Sequence, residues 1–156
     1  MSHDNFRETK DLDVAISPGH LARTVREALL ANHGDSFITF TDPMVFVTAD
    51  GQTQVDIVSV DNLEYPLAGM PLISGVLPQQ LQIATAAELA VLKAYSCGSR
   101  YSLDKNVKDA RDVASMLQWL AAHGQALNAD QRRRVRFQGR WLRKYATDVN
   151  WDAALP

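Results

Sequence analysis

Arg7-Glu8-Thr9-Lys10-Asp11-Leu12-Asp13-Val14-Ala15-Ile16 is the stretch whose reading decides the fold. Two carboxylates two positions apart lead directly into an apolar run, which is the composition of a strand entering a core. Side chains at i and i+2 of a strand share a face, so Asp11 and Asp13 stand side by side while Leu12 and Val14 point the other way. Like charges that close repel each other unless a cation lies between them. A hard divalent ion with a preference for oxygen, such as Mg²⁺, suits the pair. The same residues also suit a polar turn ahead of a strand, so the remainder of the chain has to decide.

Working outward, Ser17-Pro18 reads as a helix start, and Leu21, Val25, Ala28 and Leu29 then recur at helical spacing to about Asn32, where His33-Gly34 stops the helix. Phe37 to Thr41 reads as a strand, Asp42-Pro43 as a break, and Met44 to Thr48 as the next strand. An Asp50-Gly51 turn returns the chain through a strand from Thr53 to Val60, and this hairpin carries Asp56. Flanked by Val55, Ile57 and Val58, that carboxylate needs a partner, either a base or a metal.

Asp61 to about Gln82 is loop-like, with Val76-Leu77-Pro78 as a short edge-strand candidate. Thr85 and Glu88 form a capping box opening a helix to about Arg100. A polar linker, Tyr101 to Lys105, leads to a helix from Val107 to Ala122 striped by Val113, Met116, Leu117 and Leu120. On that helix Lys108, Asp109 and Asp112 are read as sharing one face. A single last helix is expected from Asn128-Ala129-Asp130 to Tyr145, with Phe137, Trp141, Leu142 and Tyr145 inward. Arg132, Arg136, Arg140 and Arg143 line another face, which is either solvated or a contact for a polyanion such as RNA. Residues 147–156 read as a poorly ordered tail apart from Trp151.

At 156 residues, 46% apolar and 22% charged, with a net charge of −2, the chain has the composition of an ordinary globular domain. No run approaches the roughly 18 apolar residues of a membrane span, so no membrane partner is expected. The polar N-terminus has no apolar leader core, and the one cysteine, Cys97, forms no intramolecular disulfide. A cytoplasmic or nuclear location is the expectation, with Cys97 a buried small hydrophobe. His20 and His33 lie too far apart on their helix to share a metal and are read as surface residues.

The order of these pieces resembles the nucleotidyltransferase superfamily, and in particular the minimal proteins that include the toxins of bacterial abortive-infection systems. The resemblance is carried by Arg7 to Ile16, Val55-Asp56-Ile57-Val58, Lys93, and Arg100 through Lys108-Asp109-x-x-Asp112, and it covers most of residues 7–120. It implies an α+β fold: a small mixed, nucleotidyltransferase-like sheet region over 1–82 and a helical region over 83–146 packed on it as one unit. It further implies that Asp11, Asp13 and Asp56 hold Mg²⁺ bound to a nucleoside triphosphate, with Asp56 also accepting the proton of an attacking hydroxyl. Lys93, Lys108, Asp109 and Asp112 become the nucleotide-binding set. The acceptor it implies is RNA, a protein side chain or a small molecule. One departure stands out: the superfamily's Gly-Ser or Gly-Gly turn before the Asp-x-Asp strand is missing from Met1 to Phe6, which contain no glycine. Those backbone amides hold the triphosphate, so an impaired enzyme, or an inactive binding or assembly module, is the alternative. A sheet edge left open by a missing first strand favours self-association, with a protein partner as the other association, and the sequence does not say whether an antitoxin exists.

Overall fold

In a computed structural model, the chain is described over residues 11–16, 19–39, 44–63, 65 and 84–155. Val14, Ala15 and Ile16 close the strand β1, Asp11–Ile16, as the Asp-x-Asp pattern predicts. The helix α1 spans Ala22–Asn32, entered from Leu21 without a side-chain cap. The helix expected from Ser17-Pro18 thus begins later, and those two residues lie outside the described ones. Gly19, at φ +80°, donates its N–H to Asp61 Oδ2 at 2.7 Å, fixing the approach to α1 with a bond from beyond the sheet.

Strands β2, Phe37–Thr39, β3, Met44–Thr48, and β4, Gly51–Ser59, complete a mixed sheet in the order β1-β4-β3-β2. β3 and β4 form the expected hairpin with Thr48 opposite Gly51, whereas β1 joins β4 in parallel. The register puts Leu12, Val14, Val55, Ile57, Met44 and Phe46 on one face of the sheet. Helix α1 lies over that face: Arg26 Nη2 donates to Thr39 Oγ1 at 3.2 Å, and Thr39 is in register with Met44. Met44 and Val55 are buried there, and Phe37 packs on Phe46 with ring centroids 5.1 Å apart. The expected break at Asp42-Pro43, the edge strand at 76–78 and the boundary at 82 all lie outside the described residues.

The chain divides into two compact units, Met1–Pro66 and Leu67–Pro156. The second is helical. Its first helix α2, Ala86–Ser96, opens on the predicted capping box: Thr85 Oγ1 accepts from the Glu88 amide, and Glu88 Oε2 accepts from the Thr85 amide. Helix α3, Leu103–Ala122, buries the predicted stripe of Val113, Met116, Leu117 and Leu120. It starts earlier than the sequence suggested, because Ser102 caps it and turns the expected linker into its first turn.

The corner between α2 and α3 is held by Asn106, which is 2% exposed. Its Oδ1 accepts from Gly98 N–H at 2.7 Å, and its Nδ2 donates to the carbonyls of Arg100 and Ser102 at 2.8 and 3.0 Å. Gly98 sits at φ +91° against the Trp141 ring. Cys97 is 1% exposed, as expected of a small hydrophobe, and burial, reinforced by Asp109, pushes its thiol up to about 11. The folded state therefore keeps a proton that the unfolded chain loses near pH 9, so stability falls as pH rises from about 9 to about 11. Urea denaturation should show roughly 2–3 kcal/mol lost across that window in excess of Cys97→Ala. Equal pH profiles for the two proteins would contradict the burial argument.

The single C-terminal helix expected from 128 to 145 is two, α4, Ala129–Phe137, and α5, Gly139–Tyr145. Gln138, at φ −85° and ψ 0°, breaks the run just before Gly139, a weak helix former. The bend turns Phe137 outward to 79% exposure, against its expected inward packing, while Leu142 is fully buried. Residues 147–155 are also more structured than expected. Trp151 is buried and donates Nε1–H to the Ala146 carbonyl at 2.9 Å, which anchors a short helix α6, Trp151–Ala154.

Candidate functional site

Because β1 and β4 run parallel, residues paired across them point to the same face, and the register pairs Asp13 with Asp56 and Asp11 with Gln54. Neighbouring strands lie about 4.8 Å apart, so Asp13 and Asp56 are neighbours on one rung. Asp11 is one rung-pair away on the same face, which is the face opposite α1. Asp11 and Asp13 are exposed, and Asp56 is half-buried. The partner that Asp56 needs is Gln54, whose Nε2 donates to Asp56 Oδ2 at 2.9 Å. Sequence reading missed Gln54, although its i, i+2 spacing from Asp56 on a strand was the available signal.

Hard carboxylate oxygens on one rung are a donor set that fits Mg²⁺. Among the described residues, however, no three His, Cys, Asp or Glu side chains are gathered into a group able to hold an ion. The fold presents a facing pair, Asp13 and Asp56, with Asp11 beside it.

In the helical unit, Lys93 on α2 reaches across to α3, with Nζ 3.2 Å from Asp109 Oδ1 and 3.6 Å from Asp112 Oδ2. Arg100 Nε donates to the other oxygen of Asp109 at 3.2 Å. Asp109 is 3% exposed, so this carboxylate is buried between two cations. Three of the four residues expected at the nucleotide thus answer one another. The fourth, Lys108, is exposed. It does not share the face of Asp109, because adjacent helical residues diverge by about a hundred degrees. The lysine that joins the two carboxylates comes from the neighbouring helix.

The arginine row is divided by the bend at Gln138. Arg133 and Arg134 both pair with Asp130, and Arg136 Nη2 donates to the Leu155 carbonyl at 3.2 Å. Arg143 Nη2 lies 2.7 Å from Asp152. Arg140 lies over the Trp141 ring, 4.7 Å from its centroid. Two of the four arginines of the row, Arg136 and Arg143, therefore fasten the C-terminal segment. Among the described residues, no helix is long and apolar enough to cross a membrane.

No protein-family model matches the chain, and no curated protein matches it either. Among solved structures it is similar to an antigenic nucleotidyltransferase-like protein from Paracoccidioides brasiliensis. The TM-score is 0.61 at 17% identity, over 99% of this chain and 78% of that one. With its four-stranded mixed sheet, carboxylate-bearing β1 and β4 and helical C-terminal part, the chain has the α+β, nucleotidyltransferase-like fold that its sequence order implies.

Proposed function

We propose that this chain is a Mg²⁺-dependent nucleotidyltransferase of the minimal, abortive-infection toxin type, moving a nucleoside monophosphate from a triphosphate to a hydroxyl acceptor. The observation that carries the reading is the parallel rung pairing Asp13 with Asp56, on the sheet face opposite α1, within a nucleotidyltransferase-like fold. Asp11, Asp13 and Asp56 are the residues that would hold the ion. When bound, it would neutralise triphosphate charge and favour displacement at phosphorus. Asp56, held by the Gln54 amide, takes the proton of the acceptor hydroxyl as its oxygen bonds to the α-phosphorus. The bond between the α-phosphorus and the bridging oxygen breaks, and pyrophosphate leaves. Lys93, Asp109 and Asp112 hold α2 against α3. The acceptor class comprises RNA, a protein side chain or a small molecule.

A second reading, a non-catalytic binding or assembly module, is favoured by one observation: no three-acid group is gathered among the described residues. Thermal unfolding with each nucleoside triphosphate, with and without Mg²⁺, separates the two. The enzyme reading expects a shift needing both, equivalent to about 2.7 kcal/mol at a hundredfold excess over Kd. Asp13→Asn should lose that shift. No shift with any triphosphate and Mg²⁺ would leave the module reading standing.

A further inference from the structure

We propose that a recess in the helical unit is a binding site for a small amphipathic monocarboxylate, an apolar body carrying one carboxylate. The recess has a volume of about 600 Å³ and lies between the C-terminal half of α3, residues 125–127, the start of α4 and residues 148–155. That is the size range of small-molecule sites, roughly 300–1,000 Å³. Its apolar wall includes Leu117, Leu120, Leu127 and Leu155, each under 10% exposed, so the surface is withdrawn from solvent.

Arg132 supplies the charge. It is half-buried, lines the recess, and among the described residues has no carboxylate partner, in contrast to Arg133, Arg134 and Arg143. Asp148 also lines the recess, but its Oδ2 lies 3.4 Å from Nη2 of Arg111, a residue outside the lining. The acid is thus answered from elsewhere, and Arg132 is the unanswered charge against the leucine wall. One guanidinium fork matches one carboxylate through two parallel hydrogen bonds. A phosphate dianion would need a second cation, which the lining lacks. The inference does not depend on nucleotidyl transfer.

Calorimetric titration of the full chain with octanoate tests it, with octanamide and octyl phosphate as comparison probes. Saturable one-to-one binding of octanoate is expected, with Arg132→Gln weakening it about tenfold or more and Arg132→Lys less. Ala121→Trp, an exposed position on the recess wall, should abolish binding with the thermal midpoint unchanged. Octanamide binding as tightly as octanoate, octyl phosphate binding more tightly, unchanged affinity in Arg132→Gln, or no saturable octanoate binding would each overturn the assignment.

Discussion

Replacing both Lys93 and Arg100 by methionine is expected to lower the unfolding free energy by about 3–5 kcal/mol. Asp109 is the desolvated member of the group at 4% side-chain exposure, while Lys93 and Arg100 reach water at 26% and 43%. Removing the cations therefore strands a buried carboxylate between α2 and α3. Removing the acid strands nothing, because the cations can turn to solvent. Asp109→Asn should accordingly cost less, about 1–2 kcal/mol from weakened hydrogen bonds. Urea denaturation followed by far-ultraviolet circular dichroism gives both values. If Asp109→Asn proves the more damaging change, burial of the acid is not what governs this cluster.

Gly98→Ala is the second large effect, about 3 kcal/mol of destabilisation from two sources that can be separated. At φ +91° an L-residue is strained, and a Cβ there would lie 2.6 Å from two atoms of the Trp141 ring. The ring has little room to retreat, since Tyr145 stacks beside it and Arg140 and Lys144 lie over it. Trp141→Leu in the Gly98→Ala background should recover the steric part and leave about 1–2 kcal/mol of backbone strain. A double-mutant cycle in urea measures the coupling. Additive effects would mean that the ring and the glycine do not constrain each other.

Much of the fold was legible because it depends on local rules. β-Branched and aromatic runs between turn signals marked β3 and β4, Asp50-Gly51 marked their hairpin, and Thr85 with Glu88 marked the start of α2. What escaped depends on contacts between distant residues. Apolar periodicity runs straight through Gln138-Gly139, so that spacing shows neither the bend there nor the exposure of Phe137. Trp151 alone could not announce α6, because the Ala146 carbonyl that receives its N–H is presented by the end of α5. At the candidate site, alternation along one strand put Asp11 and Asp13 on a common face. The pairing of Asp13 with Asp56 needed the parallel register between strands far apart in sequence, on which local pattern is silent. The same limit hid the pairing of Asp109, whose partners come from α2 and the corner after it, not from Lys108.

That long-range pairing also orders events in time. Parallel docking of the aspartate strand must close a loop of about 40 residues, whereas the hairpin of β3 and β4 closes over two. The aspartate strand is thus among the last parts of the sheet to find its place, and it can do so only on a ready-made template. Substitutions along Asp11–Ile16 should accelerate unfolding and leave the refolding rate nearly untouched, making the aspartate-bearing strand the region of the sheet that opens first.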